Sequence, residues 1–450
     1  MAGITDEVGQ GNSLWEALSD DSIYPGHRPG YELCKLIAVA HPLGHKITAA
    51  PIEQALREKP AHTISTEPHD DVVREFERVW QELGCDEAIM SCAIQSRIYG
   101  AATITIGGVD TKGDELPTDR MLTAEELAHE TIYLNVYDPL PTAGSLTIDQ
   151  NPNSPDYLKA PRRIKAGSKI YTSGRFCLLM NQSPVYLSWT SSAFGFSGRS
   201  SFAQIIYDLG TYLRALRAIR MVADKAGIIV AKFEQTGSTT DQLQASAIDA
   251  ARKVLKNARN GDIFSIGIND SLESLNLQNI DTALQNAMEE TIKSIAAGAA
   301  MPAPMLNSEA FAYGFSGGEQ DAMRVASYLM ERRDWLMPLY RFLQPNIMRR
   351  AWNRDFIASM RVKDPVRYGP MGDEAIFQEW RNNFHMEWPS LIEEPESEKQ
   401  KTAQQLFSAS LDTWRELSPA LSSQDKNRLL NWVVACVNDS GFFPTRLELS

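Results

Sequence analysis

Apolar side chains recur every three or four residues through long stretches of this chain and alternate with polar ones in the short stretches between them. From Asp70 to Gly100, Val73, Phe76, Val79, Trp80 and Leu83 fall at helical spacing, and Ala88, Met90, Ala93, Ile94 and Ile98 continue it in a second helix. Alternation predicts a strand over Ala101 to Gly108, closed by glycines. Ile132 to Pro141 and Gly167 to Met180 read as two further strand-like runs flanking the polar, Pro-rich NPNSPDY, so a β-rich module follows the helix pair. Ahead of it all, Tyr31 to Ala40 is a short apolar element that the Pro and Gly of HPLGHK bring to an end.

The clearest helix runs from Ser197 to Gly227. Ser200 or Ser201 is placed to cap its start, Phe202, Ile205, Ile206, Leu209, Leu213 and Leu216 form its apolar face, and Gly227 stands where a C-terminal cap belongs. Arg214, Arg217 and Arg220 make a basic stripe along it, read as a solvated or intersubunit salt-bridged face in preference to a DNA contact. A short strand, Ile228 to Phe233, leads into a helix over Asp241 to Asn260 and a strand over Asp262 to Ile268. A return helix, Asn279 to Ala300, carries Ile280, Leu284, Ala287, Met288, Thr291 and Ile295 on one face, leaving Glu289, Glu290 and Lys293 for the other. Two amphipathic helices that flank an insertion can stand together as a hairpin, and hairpins repeated round a ring would line a channel.

After Pro302 and Pro304 a regular helix cannot continue, which predicts a loop from Met305 to Ser316. A helix then spans Ala312 to Leu343 with a kink at Pro338, another runs from Asn346 to Met360, and the polar linker DPVRYGPMGD follows. Phe384 to Leu391 is strand-like, an acidic linker starts a helical tail, and Leu421 to Val437 is a terminal amphipathic helix.

Composition narrows the chemistry. With 450 residues and 43% hydrophobic content the chain can bury a core, and its length suits two or three domains. The 5 cysteines lack Cys-x-x-Cys spacing, which points to buried, reduced thiols and not to a zinc ribbon or disulfide framework. Acidic residues stand where a signal peptide needs a basic start, no apolar run is long enough to span a bilayer, and a cytoplasmic site of synthesis is expected. A net charge of −13 disfavours tight charge-driven nucleic-acid binding and does not exclude a surface past which DNA slides without sticking. No catalytic, cofactor-binding or metal-binding residue emerges. HPLGHK reads as surface histidines, His129 to Thr131 has no second copy to make a two-histidine phosphoesterase, and GFSGG lacks the Lys-Ser/Thr of a P-loop.

Several of these stretches together resemble the portal proteins of tailed phages. SRIYGAATITI, from Ser96 to Ile106, has the family's helix end at Arg, aliphatic, Tyr and Gly followed by a strand of small residues. AFGFSG, from Ala193 to Gly198, stands just before the long helix, and Gly298 to Leu343 has the family's order of helix stop, Gly and Ser-rich segment and helix with a late Pro. One departure is YTSGR at Tyr171 to Arg175, where the family's pattern has a histidine-led motif.

The resemblance implies an α+β, ring-forming, portal-like fold, mainly helical, with small β-rich wing and clip modules. It divides the chain into a wing-like part at 1–200, stem helices at 201–227 and 279–300, and a clip-like insertion at 228–278. A tunnel-like loop at 301–317, a kinked helix with wing helices at 318–380 and a C-terminal wing or crown-like part at 381–450 complete it. It further implies a homo-oligomeric ring, typically a dodecamer, at a capsid vertex of the virion, assembled in the host cytoplasm, through which double-stranded DNA is packaged and ejected. Implied partners are the terminase large subunit, a head-completion or tail adaptor protein, and the major capsid and scaffolding proteins. Channel candidates are Lys293, Met305, Asn307, Ser308, Glu309, Phe311, Tyr313 and Phe315; docking candidates on the clip are Arg252, Lys253, Lys256 and Arg259, which read first as ordinary surface charge and second as a docking patch. Another phage structural protein, of capsid or baseplate, is the alternative, and a phosphoesterase-type enzyme a more distant one.

Overall fold

The structure, a computed structural model, describes residues 14–19, 29–64, 70–142, 151–155, 161–182, 198–225, 229–232, 271–274, 278–306 and 319–391. Single residues between these stretches and short helical pieces between 407 and 434 are described as well. The chain forms two compact units, Met1–Pro389 and Ser390–Ser450. In the second, the described helical turn at 412–415 is tied to its neighbour by the Thr413 hydroxyl donating to the Ala409 carbonyl.

The core of the first unit grows from the helix pair legible at Asp70 to Gly100. Helices α5 (Asp70–Glu82) and α6 (Cys85–Tyr99) bury Val72, Phe76, Val79, Trp80, Ile89, Cys92 and Ala93. At Gly100 the chain reverses into β2 (Ala101–Val109), buried on both faces over its first eight residues. This strand is the centre of an antiparallel sheet, with β3 (Thr131–Tyr137) on one side and β6 (Phe176–Met180) on the other, so that Ile104 pairs with both Val136 and Cys177. Small residues at Ala101 and Ala102 let α6 lie close against it.

The spine of the unit is α10 (Glu319–Ala351), with Leu336, Leu339, Tyr340, Leu343 and Ile347 in the core. Tyr340 stacks on Trp80 with ring centroids 5.7 Å apart, and the Trp335 indole donates to the Met180 carbonyl at 2.8 Å, fastening the spine to the sheet. Immediately after it, Trp352 meets Phe76, Phe377, Trp380 and Phe384 edge-on or tilted, and its indole donates to the Val72 carbonyl at 3.0 Å. Helices α11 (Arg354–Lys363), α12 (Pro365–Tyr368) and α13 (Asp373–Asn382) close round this cluster. Strand β9 (Phe384–Glu387) then pairs with β1 (Ala61–Ile64), joining late chain to early chain beside α5.

The apolar element expected at Tyr31–Ala40 is a helix with those bounds, α2, followed by the short helices α3 (Gly44–Thr48) and α4 (Ala50–Ala55). Several other boundaries differ from the sequence expectation. Gly167 to Met180 holds two strands: β5 (Lys169–Thr172) pairs with β4 (Arg163–Ala166) in a separate ribbon, and only β6 joins the sheet. The spine helix runs through both Pro338 and Pro345 to Ala351. Both prolines lie on its exposed face, where water can take up the carbonyls they leave without donors. The break comes instead at Asn353, whose side chain accepts from the Phe356 N–H at 2.9 Å and so caps α11. DPVRYGPMGD is not a plain linker: Asp364 caps α12, and Ile376, Phe377 and Trp380 of α13 are core residues.

Candidate functional site

The long helix that the sequence expects from Ser197 begins as a regular helix only at Ile206, as α8 (Ile206–Lys225). The preceding residues are held by the body of the fold and cannot join it. Gly100 ends α6 at φ 97°, and a Cβ built on it would lie 2.3 Å from the Gly198 carbonyl oxygen. A Cβ on Gly198 would in turn lie 2.3 Å from the Gly100 oxygen. The glycines of SRIYG and AFGFSG therefore cross backbone to backbone. Asn181 locks the crossing: its N–H donates to Gly100, its carbonyl accepts from Arg199, and its amide donates to the Arg199 carbonyl at 2.7 Å. Ser201 N–H donates to the Arg97 carbonyl, and Phe202 and Ile205 are buried in the turn ahead of the helix.

Around this root sit side chains whose partners are backbone carbonyls. Arg97, 2% exposed, donates to the Thr48 and Ile47 carbonyls at 3.1 and 2.6 Å, ending α3. His41 is buried, contrary to the expectation of surface histidines in HPLGHK; His45 alone is exposed. The His41 Nδ1 accepts from the Leu43 N–H at 3.1 Å, which leaves Nε2–H to donate to the Leu209 carbonyl of α8 at 3.3 Å. Burial brings its pKa down to about 4, so the ring is neutral and serves as a clamp between the turn and α8. Helix α1 (Leu14–Ser19) adds Leu18 beside Gly210 and places Trp15 under the Arg217 guanidinium, 4.8 Å from the ring centroid.

Helix α9 (Gln278–Gly298) runs back antiparallel to α8. Ser294 donates to Asp208 at 2.8 Å, and a Cβ on Gly298 would meet Ile205 at 2.5 Å, so the end of α9 lies against the start of α8. At the far ends, β7 (Ile229–Lys232) pairs with β8 (Ser271–Ser274), Ile229 opposite Ser274 and Lys232 opposite Ser271. Helices of 20 and 21 residues, rising 1.5 Å per residue, set this ribbon about 30 Å from the root. The geometry is a helix hairpin, closed at its tip by a two-stranded ribbon and clamped at its base.

The stop of α9 precedes the prolines that the sequence singles out. Met301 N–H donates to the Ala296 carbonyl and Ala300 N–H to that of Ala297, the pair of bonds of a Schellman motif. The left-handed residue of the motif, at φ 51°, is Ala300, where glycine is usual. Pro302 then leads into a 3-10 turn, Ala303–Met305, which packs against α9 and α10. Leu306 is buried, and Lys46 donates to its carbonyl at 2.8 Å. Leu306 is therefore held as part of the root.

Of the residues singled out from sequence, Lys293 is exposed on α9 and ion-pairs Glu290 at 2.6 Å, which holds its amine above the usual lysine range. Met305 is 4% exposed, a residue of the root and not of a free loop. Asn307, Ser308, Glu309, Phe311, Tyr313 and Phe315, and the basic set Arg252, Lys253, Lys256 and Arg259, lie outside the described residues, as do Gly227 and the strand expected over Asp262 to Ile268. His41, Lys46, Asn181 and Ala300 carry the joint yet have no sequence signal beyond their neighbours. Burial pushes the thiols of Cys34, Cys85 and Cys92 up, and that of Cys177 to about 12. Among the described residues, no group of His, Cys, Asp and Glu could hold a metal ion, and no helix is long and apolar enough to cross a membrane.

A family model described as "Phage portal protein" matches residues 31–356. The chain belongs to the phage portal protein family. The match opens on the first residue of α2 and closes within α11, so the portal region includes the root, the hairpin, its insertion and the spine helix. Among solved structures, an HK97 family phage portal protein from Corynebacterium diphtheriae is similar at 11% identity, covering 68% of this chain and 91% of that one, with a TM-score of 0.31. No curated protein matches this portal-family chain.

Proposed function

We propose that copies of this chain assemble into a closed ring at one vertex of a phage capsid, most simply a dodecamer, and that double-stranded DNA passes through its centre during packaging and ejection. The observation that carries the reading is the family match across residues 31–356, which takes in the whole hairpin and its insertion. In this reading α8 and α9 are stem helices standing along the channel, and the insertion between them is the clip. Arg252, Lys253, Lys256 and Arg259 would give the clip a basic docking face for the terminase large subunit and, later, the tail adaptor. The capsid and scaffolding proteins would meet the wing.

The residues after Leu306 would form the tunnel loop, with Asn307, Ser308, Glu309, Phe311, Tyr313 and Phe315 toward the DNA. A net charge of −13 suits such a channel, because few cations neutralise phosphates and DNA is not held at many ion pairs. The chain acts as a structural conduit in this account and hydrolyses nothing itself. Negative-stain electron microscopy of the purified protein tests it: closed rings with a central hole are expected, and a strictly monomeric protein under every assembly condition contradicts it.

A further inference from the structure

We propose that β1 is a proton-released strap: His62 holds it on β9 while the ring is neutral, and protonation of that ring lets the strand leave. Ala61 and Thr63 lie on the exposed face of β1, and His62 and Ile64 on the inner face, where they are paired with Met386 and Phe384 of β9. Of these four inner residues only His62 is polar. Its side chain is 6% exposed and its ring sits among aromatic rings, stacked on Phe384 with centroids 5.4 Å apart, edge-on to Phe76 at 5.1 Å and tilted to Trp80 at 6.1 Å. Neither ring nitrogen has a hydrogen-bond partner. The Glu77 carboxylate stands 3.6 Å from Nδ1, beyond a hydrogen bond. Buried polar groups are normally paired, as both nitrogens of His41 are in the root. In β1 the ring serves instead as an apolar plate, a use that suits its neutral form alone.

A proton turns that plate into a cation with two N–H donors in a slot of carbon. The charged groups around it give little relief. Glu77 of α5 is 44% exposed, so water weakens its attraction. Asp86 of α6 already accepts the Trp80 indole at 2.7 Å and pairs with Lys59 at 2.6 Å, and Lys59 itself is a like charge. On β9, His385 and Glu387 lie on the exposed face. Burial outweighs the two carboxylates and holds the ring's pKa below its ordinary 6.5. With the folded value below the unfolded one, the strap is whole above pH 6.5 and loses its hold as pH falls.

Of the two strands, β1 is the one that can leave. On β9, Phe384 packs on Phe76 and Trp352 in the core, and the segment beyond it is tied down by Arg333, which donates to the Pro389 carbonyl at 2.6 Å and covers the Trp388 ring. Strand β1 has four residues and packs on β9 and α5. Its departure leaves the edge of β9 unpaired just before Ser390, where the second unit begins.

Hydrogen exchange of the native chain between pH 7 and pH 5, corrected for intrinsic amide rates, tests the strap. Protection at residues 61–64 is expected to fall by up to about tenfold for each pH unit below 6.5, while α5 and β2 keep theirs. His62→Phe retains an aromatic plate that cannot take a proton, and its protection at 61–64 should stay level over the same range. His62→Leu, a smaller side chain that cannot titrate either, should behave alike, and protection of β2 at pH 7 checks that each variant folds. Protection that stays level in the native chain, that falls as steeply in both variants, or that is lost equally through α5 and β2 overturns the proposal.

Discussion

Gly100 meets two demands that only glycine satisfies, a φ of 97° and a carbonyl oxygen 2.3 Å from where a Cβ would stand. The obstructing atom belongs to the Gly198 backbone, which Asn181 pins, so neither strand of the crossing can give way cheaply. Gly100→Ala is expected to cost about 3 kcal/mol or more in urea unfolding; an unchanged midpoint would remove the crossing from the account. Ala300 presents the converse case. It holds a left-handed conformation that suits glycine better, so Ala300→Gly should stabilise by roughly 0.5–1 kcal/mol despite the added freedom of the unfolded chain. A measured loss would mean that Ala300 contributes packing that outweighs its strain.

At His41 the prediction is one of pH. Its folded pKa of about 4 lies below the ordinary 6.5, so the unfolded chain binds the proton more readily between those values. The contribution is whole above pH 6.5 and is lost as pH falls toward 4, by up to about 3 kcal/mol. A His41→Gln variant should show a shallower loss of stability between pH 7 and pH 4.5. Equal slopes would contradict the buried neutral ring.

Among the elements, those with strong periodicity were legible. The pair α5 and α6, strand β2, and the two hairpin helices stand close to where apolar spacing puts them. What was not legible has identifiable physical causes. The start of α8 is set by the root, because Arg199 and Ser201 spend backbone groups on Asn181 and Arg97. The spine helix passes Pro345 since that proline faces solvent, and exposure cannot be read from a proline alone. His41 reads as a surface residue in the sequence because its partner, the Leu209 carbonyl, is distant along the chain. At the root, the Gly of SRIYG ends α6 as its sequence suggests, while the partners that complete the crossing, Gly198 and Asn181, are apparent only once the chain is folded. Met305 and Leu306 are buried and belong to the root, so the proposed tunnel loop is assigned to residues beyond them. Deleting residues 307–315 should leave ring assembly intact and impair DNA packaging or retention. Loss of assembly would make the stretch a structural joint.

On the scale of the whole molecule, a broad core of aromatic residues holds a hairpin that projects about 30 Å from a clamped root. A lone subunit has little use for such a projection, with an apolar stripe only half buried at Leu213, Leu216 and Ile219 on α8 and at Ile292 on α9. In the proposed ring, neighbouring copies would cover that stripe. The central claim is the ring, and the direct measurement is electron microscopy of the purified native chain across a range of protein and salt concentrations. The account predicts closed rings of uniform diameter with an open centre. Particles that remain single subunits throughout, or that grow into open filaments, would contradict it.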